Sequence, residues 1–569
     1  MIIIGIDLGT TNSLVSVFKD GKVELIPNQF NEYLTPSVVS VHDDGVIVGK
    51  IAKERIITDN DNTVAAFKTF MGSDKIYNLN GQGYTPIDLS AMVIRQLVQD
   101  AENYLGEKIE EAVISVPAYF NDVKRLATKQ AGEVAGIRVD RIINEPSAAA
   151  LASRINQTSF EKLLIFDIGG GTLDVSVVDC FENIVEIISV SGDNHLGGED
   201  FNQAIEDFVI ETHNLYNLSS KESAILTRHI EELKKDLSLK DESSYDLYLD
   251  DRKITISLTN ESLLEIFEPL LARIKGVVKK ALKDAQMSVV EVDRLIMVGG
   301  SSRLTVVQEY LEYLFEKKPE VSGDVDYLIG MGCGYVAGIK ERNSQIKDKV
   351  LTDICPFSLG IEVSCSDNRS LLFSAIIDRN TTLPCSKVER YKTNYKGQKQ
   401  IEVKIYQGEE SVADKNQFLG SLTVDIPQNR SEHELVDVRF TYDINGILDV
   451  DVNVVSTGEG VQKVFFTQAT ALSSEDIEKK TKDIKKIKMQ IIEDEVLEYI
   501  IERASRIFEE SIGSKREMAA SIIVHTKNLK RDGKLATIEQ AKIELLELLD
   551  SMESQSPFAF ESPETKFFN

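Results

Sequence analysis

Two segments of this chain, about 160 residues apart, repeat one pattern: an apolar run ending in aspartate, a glycine- and threonine-rich turn, and a second apolar run. The first is Ile6-Asp7-Leu8-Gly9-Thr10-Thr11-Asn12-Ser13, leading into Leu14–Phe18. The second is Phe166-Asp167-Ile168-Gly169-Gly170-Gly171-Thr172-Leu173-Asp174, leading into Val175–Val178. Glycine lets the backbone come close to a phosphate, and its successive N–H groups form an anion-binding nest. The threonine hydroxyls add donors. Asp7 and Asp167 stand where they could hold a hydrated Mg²⁺, a cation that takes carboxylates, waters and phosphates. One such turn is most simply a plain β-hairpin; two in one chain are harder to dismiss. No GxxxxGK[ST] P-loop occurs. Each glycine turn enters a strand and not a helix, which excludes the dinucleotide-binding fingerprint.

A third cluster, Val298-Gly299-Gly300-Ser301-Ser302-Arg303, follows the expected strand Leu295–Val298 and precedes an expected helix, Thr305–Phe315. Alone it is a weak signal; after two phosphate-type hairpins it reads as an adenosine site. Up to about residue 345 the chain alternates strands (Ile2–Ile6, Ala112–Val116, Leu163–Phe166) with helices (Ser90–Tyr104, Val123–Ala135, Glu261–Ala285), an α/β pattern. From about 357 to 470 helical periods vanish. Ile401, Val403 and Ile405 alternate with Glu402, Lys404 and Tyr406, and Asp443-Ile444-Asn445-Gly446 between two apolar runs signals a hairpin. This block is an antiparallel β-domain. Ser473 and Asp476 form a capping-box start. Beyond them Ile492, Val496, Tyr499, Ile500, Ala504, Ile507 and Phe508 recur at helical spacing, and a further helix covers Ile538–Met552. The expected layout is 1–346, a linker at 347–355, a β-domain at 356–472, helices at 473–553 and a frayed tail at 554–569.

The net charge is 64 − 92 = −28, which repels phosphate backbones and excludes nucleic acid as a natural partner. The five cysteines, Cys180, Cys333, Cys355, Cys365 and Cys385, form no CxxC pair and read as small fillers in a reduced compartment. The opening lacks a basic n-region and meets Asp7 early, so it reads as a strand and not a signal peptide. No run reaches membrane-span length. The expectation is a cytoplasmic protein with no membrane partner.

These clusters, in this order, resemble the actin, sugar-kinase and heat-shock ATPase superfamily. Further strings narrow the resemblance to the seventy-kilodalton heat-shock (DnaK-type) chaperones: Val116-Pro-Ala-Tyr-Phe-Asn-Asp122, Arg141-Ile-Ile-Asn-Glu-Pro-Ser-Ala-Ala-Ala150, His195-Leu-Gly-Gly-Glu-Asp-Phe201, Phe357-Ser-Leu-Gly-Ile-Glu362 and Asp378-Arg-Asn-Thr-Thr-Leu-Pro384. The similarity covers roughly residues 1–490, and the short C-terminus is similar to the HscC-like, short-lid subgroup. The resemblance implies a multidomain fold: an α/β actin-like ATPase domain with ribonuclease H-like lobes, an antiparallel β-sandwich that binds peptide, and an α-helical lid. It implies an ATPase that binds ATP or ADP with Mg²⁺ and K⁺, takes up unfolded apolar segments, and works with a J-domain co-chaperone.

Residue by residue, the resemblance assigns Lys68 and Thr172 to the γ-phosphate, Glu145 to the attacking water, and Asp7 and Asp167 to the metal through water. Asp174 goes to a monovalent ion. Gly9, Thr10, Thr11, Asn12, Gly169, Gly170, Gly171 and Gly198 would line the phosphates. Glu231, Lys234 and Ser238, on one helical face at i, i+3, i+7, would line the adenosine with Gly299, Gly300, Ser301 and Arg303, Arg303 stacking on the base. Without the resemblance, Lys68 reads as a solvated lysine, Glu145 as an N-terminal helix partner, and the Glu231 face as an ordinary ion-pair face. Pro117 and Arg125 match a proline switch; Arg141, Asn144 and Asp353 match positions linked to J-domain partners and interdomain coupling. In the β-domain Ile401 and Val403 match peptide-pocket positions flanked by Ile361 and Tyr391, although periodicity alone makes them core residues. Ser364 and Asn394 match two arch residues and are small and polar here.

The chain also departs from the pattern. The linker Lys347-Asp-Lys-Val350-Leu351-Thr-Asp353 carries only two apolar residues, so its docking as a switch strand should be weak and coupling loose. It lacks the Gly/Ser content of a simple tether. Leu239–Ser257 is shorter than the family's equivalent, which removes the usual basis for a GrpE-like exchange factor. The helical tail is shorter than a full lid, and Lys566-Phe-Phe-Asn569 is not an acidic EEVD-type ending. Two other readings stay open: a small-molecule kinase of the same superfamily, which would need a second α/β domain and a sugar-site base, and an actin-like filament protein, against which the β-domain and helical tail argue.

Overall fold

A computed structural model of the chain describes residues 2–155, 157–249, 252–321, 325–346, 348–364, 371–427, 432–465, 472–486, 489, 494–532 and 535–554. The expected frayed tail beyond 554, Cys365, Lys347 and Ile492 lie outside the described residues. Two sheets of like construction form the first part. In one, Ile3–Asp7 hairpins with Asn12–Lys19 and lies parallel to Glu111–Val116, which lies parallel to Arg138–Asn144. In the other, Glu161–Ile168 hairpins with Leu173–Phe181 and lies parallel to Arg294–Val298. Both central strands are buried on both faces, as parallel neighbours require.

The helix Leu328–Lys340 joins the sheets. It is rich in glycine because the backbones it meets leave no room: a Cβ on Gly332 would overlap the Ala148 backbone, and one on Gly330 the Leu14 side chain. A shared core then spans both sheets, including Ile3, Val113, Ile143, Ala149, Ile165, Ile296 and Cys333. This packing points the two glycine turns at one another. The expected single helix over Glu261–Ala285 is instead two, Asn260–Ile266 and Glu268–Asp284. Pro269 has no N–H for the continuing ladder, and buried Phe267 at the break packs edge-on against Phe201 at 4.7 Å.

The β-rich segment holds two four-stranded antiparallel sheets. One runs Leu371–Ile377, Leu359–Ser364, Gln400–Gln407, Gln417–Asp425; the other runs Cys385–Lys392, Leu435–Tyr442, Leu448–Val454, Gly460–Phe465. Alternate residues of both, such as Ile405, Val436, Val438, Phe440, Val450 and Val452, share one core. The Asn-Gly turn lies where expected: Gly446 has φ 78°, and Asp443 Oδ1 accepts the Asn445 and Ile447 amides at 2.8 Å.

The capping box at Ser473 and Asp476 forms and opens the helix Ser474–Lys486. That helix lies on Pro86–Leu105 and Asp122–Ala135, with Lys480 on Asp88 at 2.6 Å and Arg95 on the Ile484 carbonyl at 2.6 Å. A three-helix bundle follows, Glu495–Glu510, Gly513–Asp532 and Leu535–Ser554, around Leu497, Ile500, Ala504, Ile507, Ile522 and Leu549. Its middle helix has no counterpart in the expected layout. Ser511 and Gly513 break the chain into it, but its apolar face is weak.

Where the bundle meets the first sheet region, burial pushes Asp100 up to about 6 and Glu495 up to about 7, and their mutual repulsion and that of Asp494 add to the Glu495 shift. Gln96 donates to Asp100 at 3.0 Å, Lys542 pairs with Asp494 at 2.7 Å, and Glu495 Oε2 is buried with no partner among the described residues. Both carboxyls are protonated more readily docked than free. Their contribution to docking is therefore complete below the ordinary carboxylate range, about pH 4, and is lost as pH rises through 6 to 7. Hydrogen exchange of the Glu495–Glu510 helix should be slower at about pH 6 than at about pH 8 after correction for intrinsic rates, and Glu495→Gln should remove most of that difference.

Candidate functional site

The two turns face each other across a cavity of about 610 Å³. A Cβ on Gly170 would overlap Thr11 Oγ1, and one on Gly171 would overlap the Thr69 methyl. In the first turn Gly9 N donates to Ser13 Oγ at 3.2 Å, and the Gly9 carbonyl accepts Ser37 Oγ at 2.8 Å. In the second, Gly169 N donates to the Thr172 carbonyl at 3.1 Å, and the Gly169 carbonyl accepts the Gly198 amide at 2.9 Å and Ser301 Oγ at 2.8 Å. Gly9, Thr10, Thr11, Asn12, Gly169, Gly170, Thr172 and Gly198 all line the cavity. Gly171 does not; it is buried behind the turn.

At the cavity floor Lys68 Nζ donates to Glu145 Oε1 at 2.8 Å. The lysine is 3% exposed, so the solvated reading of Lys68 does not hold. It sits in a short 3₁₀ turn, Phe67–Phe70, entered through Ala66 at φ 54°, a left-handed conformation that alanine rarely adopts. Such local strain persists where the surroundings over-determine it. Glu145 opens the helix Glu145–Arg154, and its carboxylate is committed to Lys68.

Asp7 and Asp167, at the ends of their strands, line the same floor. Ser115 Oγ donates to Asp7 Oδ1 at 2.7 Å. Burial and then the Glu145 charge push Asp7 up to about 7, against the pull of Lys68. Burial, with Glu145, Asp174 and Asp7 adding, holds Asp167 well above the usual carboxylate range. Asp167 Oδ2 is buried with no hydrogen-bond partner among the described residues. Asp174 accepts the Tyr119 amide at 2.9 Å behind the wall and is likewise pushed up to about 7, chiefly by burial. Four acids with one lysine among them form a site of excess negative charge, suited to a cation. Among the described residues no three acidic, histidine or cysteine side chains converge as a closed metal cage. Two strand-end carboxylates facing one cavity fit Mg²⁺, which keeps several waters and shares phosphate oxygens.

At the other end of the cavity Glu231, Lys234 and Ser238 all face inward from the Ser220–Leu237 helix and its C-cap. Lys234 Nζ donates to the Gly198 carbonyl at 2.9 Å, and burial pushes it down to about 8. Burial would raise Glu231, but Lys235, at 2.8 Å, and Lys53 outweigh it and hold Glu231 down to about 2. Gly299, at φ 80°, lies against the Ile168 carbonyl, which no side chain would permit. Gly300, Ser301 and Arg303 complete this end; Arg303 pairs with Asp326 at 2.7 Å on the rim.

Arg125 ties the Pro117 turn together by donating to the Ala118 and Phe120 carbonyls at 3.0 Å and to Asn144 Oδ1 at 2.5 Å. Arg141 reaches the Asn-Gly hairpin at the Ile444 carbonyl, 2.9 Å away. Ser147 Oγ donates to Asp353 at 3.1 Å. Val350–Thr352 adds as a parallel strand beside Ile184–Glu186, with Leu351 packed on the core that spans the two sheets.

Sequence reasoning missed a buried link to the β-rich segment. Asp122 is buried and accepts Tyr442 Oη at 2.5 Å and Gln407 Nε2 at 3.0 Å. Arg379 pairs with Asp284 at 2.9 Å, and the rings of Tyr119 and Phe357 stand 4.4 Å apart. The only signal was that Asp122 and Phe357 fall inside the quoted strings. Within the β-rich segment Ile361 and Val403 are 4% and 2% exposed, so in this conformation they follow the core reading. Tyr391 and Ile401 are half-buried at its edge, and Tyr391 Oη meets Ser374 Oγ at 3.1 Å. Ser364 and Asn394 are exposed.

No helix among the described residues is long and apolar enough to cross a membrane. A family model described as Hsp70 protein matches residues 3–557 of the chain.

Proposed function

The chain belongs to the Hsp70 family, whose members are ATP-dependent chaperones with ATPase activity, and from that premise we propose how its own residues run the cycle. The observation that carries the reading is the meeting of the two glycine-threonine turns over the buried Lys68–Glu145 pair. ATP is the substrate. Its phosphates lie between the Gly9–Asn12 and Gly169–Thr172 turns, where backbone N–H groups and threonine hydroxyls receive them. Its adenosine lies between the Glu231 face and the Gly299–Arg303 turn.

Asp7 and Asp167 would hold Mg²⁺ through water, and Asp174 would serve a K⁺ ion. The metal, when bound, neutralises charge on the phosphoryl oxygens and favours the ionised carboxylates. Lys68 places a fixed cation at the γ-phosphate, and Glu145, oriented by Lys68, positions the attacking water with Thr172 alongside. Neither needs reorganising at the moment of reaction, since both are held by packing.

The β-rich segment captures an extended apolar polypeptide segment by backbone pairing and side-chain pockets around Ile401 and Tyr391. Arg141, Asn144 and the Pro117 turn face a J-domain partner or the β-rich segment, and Leu351 and Asp353 carry the signal between them. A restricted client range is consistent with the small polar residues at Ser364 and Asn394. The test is direct: purified chain in magnesium buffer should retain ATP and release phosphate, and an apolar peptide should change that rate. A chain that retains no ATP, or whose phosphate release ignores every apolar peptide tried, would remove this reading.

A further inference from the structure

The nucleotide cavity opens into a second, larger space of about 1980 Å³, with which it shares Asn12, Lys53, Glu199, Glu231 and Lys235. The roof of that space is the C-terminal helical bundle. The bundle does not rest on one side only. On one jaw of the cleft stands the helix Lys50–Thr58, which also sends Lys53 toward the nucleotide cavity. There Arg55 donates to Glu502 Oε1 at 2.9 and 2.8 Å, and Arg506 pairs with Glu54. Tyr499, 6% exposed, enters a small core with Val38, Ile47, Ile51 and Ala52, and Lys50 stands 4.4 Å over its ring.

On the other jaw stands the helix Ser220–Leu237, the one that presents Glu231 and Lys234 to the nucleotide cavity. From it Arg228 donates to Glu510 Oε1 at 2.6 Å and to Glu553 at 3.3 Å, and Lys221 pairs with Glu509. Arg506 joins the halves, pairing with Glu54 of the first jaw and with Glu510 and Glu553 of the bundle. Nearby arginines outweigh burial and hold Glu510 and Glu553 down to about 2, so the network stays ionised throughout the neutral range.

We propose that the bundle is an intramolecular strap: it bridges both jaws across the cleft mouth and slows the departure of bound nucleotide. The inference rests on the nucleotide reading above and adds a second role to the short helical tail, which then governs exchange as well as peptide access. A cleft whose two jaws are pinned to one rigid body must release at least one set of ion pairs before it opens. The Arg55 and Arg506 pairs of the first jaw are buried and costly to break singly, whereas the Lys221–Glu509 pair of the second is half-exposed, so opening should begin on the second jaw.

The experiment loads the full chain with a fluorescent N-methylanthraniloyl-ADP in magnesium buffer and follows its displacement by excess ADP. Arg228→Glu should release the analogue about tenfold faster than the unaltered chain. Lys221→Glu should also speed release, and the paired exchange Lys221→Glu with Glu509→Lys should bring it back to within about twofold of the unaltered chain, a recovery that a merely misfolded variant would not show. Equal release rates in all of these chains would overturn the strap while leaving the nucleotide site standing. A chain that takes up none of the analogue would overturn both.

Discussion

Lys68→Ala is expected to lower ATP hydrolysis by about a hundred- to a thousand-fold in single turnover, with ATP still retained. The reason lies in the balance of charge at the floor of the cavity. Lys68 bonds Glu145 and pulls on Asp7, Asp167 and Asp174 together, with Arg125 acting on Asp174 as well. Alanine removes both the positive charge proposed to face the γ-phosphate and the 2.8 Å hydrogen bond to Glu145. Repulsion among the acids then rises, and Asp7, already pushed up to about 7, is held protonated over a wider range. Binding loses less, because the turn amides and the adenosine end are untouched. Lys68→Met controls for the lost volume: it fills the space with neither the charge nor the donor and should be as slow as alanine. A Lys68→Ala chain that hydrolyses ATP within about threefold of the unaltered rate would show that neither the lysine's charge nor its hold on Glu145 limits the reaction.

Leu351→Asp is expected to abolish most of the change in ATPase rate that an apolar peptide produces. Leu351 pairs with Val185 in the parallel addition of Val350–Thr352 to the sheet that carries the second glycine turn, and Val350 N donates to the Asn183 carbonyl at 2.9 Å. The sparse linker was expected to dock weakly; the structure has it docked as an added strand. Its hold on the sheet is nevertheless thin, since Leu351 is half-buried and Val350 is 45% exposed. Full burial of such a side chain contributes about 1.5–3 kcal/mol, so half-burial leaves about 1 kcal/mol, and pressing a carboxylate against the core on the Val185 face adds a desolvation cost. A loss of that size shifts the docked population about five- to ten-fold. The measurement is phosphate release with and without peptide, alongside amide exchange over residues 184–186. Unchanged peptide response with faster exchange there would mean that coupling runs through Asp122 and Tyr442 instead.

The two glycine turns that line the cavity were legible because their parts are local. Gly9 to Asn12 and Gly169 to Thr172 are short turns whose composition states the backbone they need, and Asp7 and Asp167 precede them in sequence. The Asn445-Gly446 hairpin and the Ser473–Asp476 cap were legible for the same reason: each interaction joins residues three or four apart. The helix break near Pro269 is written in the chain as well, but a long apolar period runs across it. The Gly513–Asp532 helix escaped because its polar and apolar residues mix around its circumference.

The chain alone determined the glycine turns, the change from α/β to β to α texture, and the alternation that buries Val436, Val438 and Phe440, because side-chain spacing along a helix or strand fixes which residues share a face. Only the tertiary structure decided that Lys68 meets Glu145, that Asp122 is held by Tyr442, that Ile361 and Val403 turn inward, and that Arg228 and Arg506 join the helical bundle to both sides of the cleft. Those partners lie far apart in the chain, and no periodicity relates them. They meet because the glycine-lined Leu328–Lys340 helix and the docked linker bring separate surfaces together, and a charge that is solvated on one isolated helix becomes a buried partner once a second surface covers it.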